Sequence, residues 1–178
     1  MPVPTEPVTE PAFDLRLLLA VQRVCSGPPL VAASRALGAA GEHALVWVGV
    51  GAAGAVLDRS RRADWVSATA AVVVAHALSV GIKRLTRRAR PEHADLVVHR
   101  GAGGHWGFPS SHAASTTAAA IVYGRLLGTP STAVLPPVMG LSRLVVGAHY
   151  ASDVLAGCAV GAATAYAHGR RRRWRVDP

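Results

Sequence analysis

A chain of 178 residues with a mean hydropathy of +0.29, 51% apolar residues and only 16% charged ones is too apolar to solvate every face of a soluble bundle. Its net charge of +9 points to contact with anionic headgroups or anionic substrates. The two cysteines, Cys25 and Cys158, offer no disulfide or metal-binding spacing, and the proline-rich, acidic start MPVPTEPVTEP lacks the basic flank and apolar centre of a cleavable signal peptide.

Residues 1–11 read as a disordered tail. From Phe13, FDLRLLLAVQRV sets leucines and valines on one side, interrupted by Asp14, Arg16, Gln22 and Arg23; after the Pro28-Pro29 break, LVAASRALGAAG carries Arg35 in its middle. Both are too short to span a bilayer and suit helices lying in the interface or packed on a bundle. Apolar runs follow from Ala44 to Leu57, Trp65 to Ile82, Trp106 to Gly124, Leu126 to Ser142 and Val154 to Gly169, and none holds Asp, Glu, Lys or Arg. Each approaches the ~17 residues that cross a bilayer, the first being shorter. Their wealth of Ala, Gly, Ser and Thr suits the close approach by which membrane helices associate. Gly157 and Gly161 have GxxxG spacing, which a chain with 18 glycines also produces by chance. The expected fold is all-α, a polytopic membrane helix bundle of about five transmembrane helices with N-terminal interfacial helices. A single domain is expected over 12–169, followed by a basic tail over 170–178.

Polar groups punctuate these runs. Glu42 and His43 open the first, at the membrane surface, where they either face a substrate or serve as interfacial polarity. DRSRRAD, from Asp58 to Asp64, is a charged loop. His76 lies inside the second run and reads as a hydrogen-bonded packing residue. KRLTRRARP follows: Lys83, Arg87 and Arg90 share one face if the helix continues, with Pro91 helping to end it. This stretch is either a basic cluster at the lipid surface or an anion clamp, with a point charge from Lys83 and a planar fork from Arg90. His93, His99 and His105 occupy a polar, Gly-rich loop, but their spacing fits no metal-ligand pattern and no metal site is expected. FPSSHAAS starts a helix at Pro109, with capping serines and first-turn N–H groups suited to a phosphate; His112 beside them is placed as a general acid. Pro136-Pro137 should kink the fourth run. In SRLVVGAHYASD, Gly147 lets the backbone turn, and a helix starting near Tyr150 puts His149 and Asp153 one turn apart. A carboxylate there would fix the tautomer of a nucleophilic or basic imidazole, and Arg143 supplies a planar cation for phosphate oxygens.

Antiparallel succession supplies a test of these signals. Lys83 to Arg90 ends the second run and Ser110 to His112 starts the third; Arg143 ends the fourth and His149 to Asp153 starts the fifth. All therefore fall on one side of the membrane.

These three stretches, Lys83 with Arg90-Pro91, Pro109-Ser110-Ser111-His112, and Ser142-Arg143 with His149 and Asp153, resemble in order and spacing the signature of the type 2 phosphatidic acid phosphatase superfamily, membrane branch. The resemblance covers roughly Lys83 to Asp153. The one departure is Ser111, where the family usually has Gly; it adds a side chain but keeps the backbone N–H. The resemblance implies a metal-independent phosphatase without cofactor, acting on a lipid phosphate among membrane lipids, with no nucleic-acid partner and an oligomeric state left open. It implies that His149 attacks phosphorus, Asp153 orients it, His112 protonates the leaving oxygen, and Lys83, Arg90, Ser110, Ser111 and Arg143 hold the phosphate. Of two other readings, an inactive phosphate-binding scaffold would not need both histidines and Asp153. A vanadate-dependent haloperoxidase would be large and soluble.

Within the superfamily, GEHALVW and FPSSHAASTTAAA are similar to the actinobacterial enzymes that dephosphorylate decaprenylphosphoryl-5-phosphoribose on the way to the arabinose donor of the cell wall. Undecaprenyl diphosphate, phosphatidic acid and phosphatidylglycerophosphate are the alternative substrates. Sidedness in the plasma membrane is nearly balanced by charge: of 19 Lys and Arg, ten fall on the side of the active site. Discounting the cations of the site turns the basic tail inward and the site outward.

Overall fold

A computed structural model of the chain describes residues 12–99 and 104–171; the expected tail over 1–11, and residues 172–178 of the basic tail, lie outside the described residues. The elements are α1 (Ala12–Val24), α2 (Pro28–Ala40), a 3-10 turn (Glu42–Ala44), α3 (Leu45–Leu57), a second 3-10 turn (Arg59–Arg61), α4 (Arg62–Thr86), α5 (Ser111–Leu127), a third 3-10 turn (Pro130–Val134), α6 (Leu135–Val145) and α7 (Ala151–Arg171). Among the described residues the architecture is all-helical, with one isolated bridge between Ala89 and Trp106.

Alanine, glycine and small polar residues let these helices pack closely. α5 lies at the centre, against α7, α4 and α6. Gly157 and Gly161 form the α7 seam: a Cβ on Gly157 would fall 2.3 Å from the Ser110 carbonyl oxygen, and one on Gly161 2.3 Å from that of Ala114. The GxxxG spacing is therefore a packing device here. Away from the site the core gathers Trp65, Val72, Val122 and Tyr123. The Trp65 and Tyr123 rings lie 5.4 Å apart, and the Tyr123 hydroxyl donates to the Trp47 carbonyl at 2.8 Å. The Tyr123 hydroxyl thus keeps a partner where water is scarce.

Leu57, Val66, Leu78 and Leu155 stay exposed, as expected of helices facing hydrocarbon. Among the described residues one helical segment, Arg59–Thr86, is long and apolar enough to cross a bilayer; the pair Pro28–Ala40 and Glu42–Leu57 passes the same test together, bent by 51°. The other runs are more interrupted than the sequence suggests. The third becomes helical at Ser111, two residues after the expected start at Pro109, because Ser110 caps the helix, and Trp106 at the front of the run bridges to Ala89. The fourth is split: Pro130 starts a 3-10 turn, and Pro136 and Pro137 occupy the first turn of α6 instead of kinking a longer helix. In a first turn proline sacrifices no hydrogen bond, so the pair initiates α6.

Candidate active site

The end of α4, the start of α5, the end of α6 and the start of α7 meet around a cavity of about 390 Å³, lined by Lys83, Arg90, Ser111, His112, Arg143 and His149 among others. His149 sits in the link between α6 and α7, which turns at Gly147 with φ +65°. Helix α7 begins at Ala151, one residue later than expected. His149 Nδ1 lies 3.5 Å from Asp153 Oδ2, and the same oxygen accepts the Tyr150 backbone N–H at 2.9 Å. The two side chains are 2% and 0% exposed. With Nδ1 turned to the carboxylate, Nε2 is the nitrogen left for the cavity.

Burial pushes the His149 imidazole down to about 4, against a smaller upward pull from the Asp153 hydrogen bond. The neutral, nucleophilic form therefore persists well below the usual histidine range. In an NMR titration of the free protein, the His149 ring is expected to gain its proton near pH 4. In Asp153→Asn it should do so lower still, because the carboxylate that favours the imidazolium is gone. A His149 titrating at or above its ordinary value would contradict the burial.

Asp153 is itself held by a network the motif reading did not include. Arg88 donates to Asp153 Oδ1 at 3.0 Å and, through its other terminal nitrogen, to Asp14 Oδ2 at 3.0 Å. It also donates to the Ser152 hydroxyl at 2.7 Å and stacks over the Tyr150 ring at 4.7 Å. Asp14 accepts from the Ser152 backbone N–H at 3.1 Å and from the Ser152 hydroxyl. Burial works to raise the Asp14 carboxyl, but the bonds from Ser152 and Arg88 prevail and hold it below its usual value. Helix α1 thereby reaches the carboxylate behind His149.

The basic stretch does not continue as helix to Pro91. α4 stops at Thr86, and Arg87 takes the left-handed conformation with φ +48°. The Thr86 hydroxyl donates to Ile82 and Phe108 carbonyls at 3.1 and 3.0 Å, pinning this end to the segment before α5. Lys83 and Arg90 hence reach the cavity from a helix and from an extended strand-like stretch, not from one helical face, and Arg87 is not among the residues lining the cavity. Arg90 donates to the Gly104 carbonyl at 2.7 Å and the Ala148 carbonyl at 2.9 Å.

Ser110 is also placed differently from expectation. Fully buried and outside the cavity lining, it accepts the Ala113 N–H on its hydroxyl at 3.4 Å and donates its own N–H to the Asp153 carbonyl at 2.9 Å. It thereby caps α5 and ties it to α7, while its hydroxyl hydrogen stays available to an acceptor. Ser111 does line the cavity, at a helix start whose first N–H groups have no intrahelical acceptor.

Helix α2 supplies a wall the sequence did not reveal. The Gly38 carbonyl lies 3.0 Å from His112 Nε2, so that nitrogen carries the proton, since a carbonyl only accepts. The Ser34 carbonyl accepts from the buried Arg143 guanidinium. A Cβ on Gly38 would fall 2.2 Å from an Arg143 terminal nitrogen. Gly38→Ala is therefore expected to displace Arg143 and raise the inhibition constant for inorganic phosphate about tenfold, one lost charge-assisted bond; unaltered phosphate inhibition would contradict the contact. Glu42, His43 and His99 line the cavity as well, with Arg35. His76 is not the hydrogen-bonded packing residue expected: its Nδ1 is buried without a hydrogen-bond partner, and the residue faces the same cavity. The sequence signal available for α2 was Arg35 itself, a charge in an otherwise apolar helix.

Comparison with known proteins gives this geometry a family. Residues 64–176 match the PAP2 superfamily. The chain belongs to the PAP2 superfamily. It is 44% identical over 148 residues to the decaprenylphosphoryl-5-phosphoribose phosphatase of Mycolicibacterium smegmatis, covering 83% of this chain and 82% of that one. To the protein of the same name from Mycobacterium tuberculosis (H37Rv) it is 43% identical over 153 residues, 85% and 86% of the two chains. The PAP2-type phosphatidylglycerolphosphate phosphatase of Bacillus subtilis, a transmembrane protein of known crystal structure, superposes with a TM-score of 0.73 at 17% identity, covering 94% of this chain and 90% of that one. The PAP2 chain described here is accordingly a membrane lipid phosphatase, a phosphoric monoester hydrolase.

Proposed function

We propose that this PAP2 phosphatase removes the 5-phosphate of decaprenylphosphoryl-5-phosphoribose, yielding decaprenylphosphoryl ribose for the arabinan precursor of a cell wall. The observation that carries the chemistry is the pairing of His149 with Asp153 at 3.5 Å beside Lys83, Arg90, His112 and Arg143 on one cavity. The substrate is argued from the two mycobacterial relatives, which match across most of their length.

In this reading the lone pair of His149 Nε2 attacks phosphorus while the bond from phosphorus to the ribose oxygen breaks. His112, which takes up a second proton on Nδ1 as the anionic substrate binds while Nε2–H stays on the Gly38 carbonyl, gives that oxygen the Nδ1 proton, and the alcohol leaves. His112 then takes a proton from water as the water oxygen attacks the phosphohistidine, which returns His149 and releases inorganic phosphate. Asp153 keeps the His149 proton on Nδ1 and stabilises the imidazole as it bonds to phosphorus. Lys83, Arg90 and Arg143, with Ser111 and the first N–H groups of α5, meet the charge on the equatorial oxygens; positioning and charge stabilisation make up most of what phosphoryl transfer requires. Ser110 contributes through the helix start it caps. The chemistry requires neither metal nor cofactor.

The same reading takes α3, α4, α5, α6 with its preceding turn, and α7 as the about five membrane spans, forming one domain over 12–169 with α1 and α2 against the site. The site faces outward and the basic C-terminal tail inward. A substrate made on the cytoplasmic leaflet would then have to be flipped before hydrolysis.

Purified protein in detergent tests the proposal, with decaprenylphosphoryl-5-phosphoribose, undecaprenyl diphosphate and phosphatidic acid offered in parallel. The highest kcat/KM is expected on the phosphoribosyl lipid. A higher value on the diphosphate would make the chain a lipid-carrier recycling enzyme with the same chemistry.

A further inference from the structure

The cavity extends beyond the groups that hold phosphate. Along α4, His76, Val80 and Lys83 all line it, so it runs about 10 Å down the helix axis from Lys83, two turns towards the membrane interior. Along α2, Arg35, Gly38 and Ala39 line the facing wall, at spacings that share one helical face, and Glu42 follows in the next turn. Where α2 meets α3 the backbone turns sharply: His43 and Ala44 take φ +52° and +60°, a left-handed conformation that non-glycine residues adopt at a cost and that concentrates at ligand sites. This turn abuts the proton donor. A Cβ on Gly41 would lie 3.0 Å from the His112 ring, and the Glu42 carboxylate and His43 imidazole approach each other at 3.9 Å just beyond it. His43 and His76 stand edge to face at 6.2 Å, with His76 Nδ1 buried and unpartnered.

In an in-line displacement the leaving oxygen departs on the side opposite the nucleophile, which here is the His112 side. The moiety carrying that oxygen therefore meets Glu42, His43 and His76. A hydrocarbon alcohol would leave the buried His76 Nδ1 without a hydrogen bond, at a cost in binding, and an ionisable side chain within a span marks a substrate path; Glu42 and His43, 61% and 75% exposed, stand open to a polar group beside it. We propose that Glu42, His43 and His76 form a leaving-group subsite for a hydroxyl-bearing ring, with Arg35 supplying the cation for a second phosphate between that ring and the lipid. The Glu42 carboxylate accepts a ring hydroxyl; the two imidazoles donate or accept. This deepens the substrate reading above and rests on it.

The test measures kcat/KM on decaprenylphosphoryl-5-phosphoribose and on phosphatidic acid for wild type, Glu42→Gln, His43→Ala and His76→Leu, and reads the ratio of the two. Each variant is expected to lower that ratio about tenfold, one hydrogen bond to substrate. Reading a ratio makes a general loss of folded protein cancel. A second measurement needs no variant: ribose 5-phosphate should inhibit the wild type at a lower concentration than inorganic phosphate. Ratios within twofold of wild type in all three variants, with the wild type still preferring the phosphoribosyl lipid, overturn the subsite alone. A wild type that hydrolyses phosphatidic acid but not the phosphoribosyl lipid overturns the substrate reading and the subsite with it.

Discussion

His149→Ala is expected to abolish phosphate release, lowering kcat by about 10⁴-fold or more, as loss of a covalent nucleophile does elsewhere. No other group can take its place. The remaining imidazole at the cavity that has a hydrogen-bonded, oriented ring is His112, and it is held by the Gly38 carbonyl at 3.0 Å with no carboxylate behind it. The fold should survive, because the carboxylate that His149 faces keeps its other partners: Asp153 still accepts from Tyr150 and Arg88. Loss of activity with unaltered thermal unfolding in detergent is the expected pair of results. By contrast His105→Ala, in an exposed loop position, should change turnover little.

Arg88→Ala should reduce both activity and stability, although Arg88 belongs to none of the three motif stretches as a named position. The Asp153 side chain is 0% exposed and Arg88 is its cationic partner at 3.0 Å. Removing one member of a buried ion pair strands the other, at a cost of about 3 kcal/mol. Asp14 loses the same partner. Without Arg88 the Asp153 carboxylate is also free to turn from its place behind His149, and then no longer fixes the Nδ1–H tautomer. The expected outcome is a lower unfolding temperature with kcat reduced about 10-fold to 100-fold, the range for loss of a group that orients a reacting one. Arg88→Lys should recover little, since one ammonium cannot bridge two carboxylates and stack on Tyr150 as the planar fork does. Combining Arg88→Ala with Asp14→Asn should cost less than the two separately, because the pair shares one network. Additive losses would place Asp14 outside it.

What could be read from the chain, and what could not, follows from how far apart in sequence the interacting groups lie. His149 and Asp153 are one helical turn apart, so local geometry alone brought them together. Lys83, Arg90, His112 and Arg143 could be grouped because antiparallel helices return to the same membrane face, even though the helix expected to carry Lys83 and Arg90 together ends at Thr86. Arg88 and Asp14 are separated by most of the N-terminal half. In isolation the first is one more cation in a basic cluster and the second an interruption in an amphipathic helix. The contacts of Gly38 with His112 and of Ser34 with Arg143 run through backbone carbonyls, which every residue possesses, so no side-chain pattern announces them. Ser110 matched the motif and caps α5, and the pattern of residue types alone does not distinguish a cap from a ligand. The helix boundaries suffered from the same ambiguity: Pro136-Pro137 inside an apolar run signals either a kink or a start, and only the turn at Pro130–Val134 decides for a start.

The central claim is that phosphate passes through a covalent bond to His149. Rapid acid-free quenching of a reaction with ³²P-labelled phosphomonoester, followed by peptide mapping, tests it most directly. The account predicts a label that is stable in alkali and lost in acid, carried by the peptide containing His149 and absent from His149→Ala. A label on another residue, or turnover by His149→Ala at the wild-type rate, would contradict it.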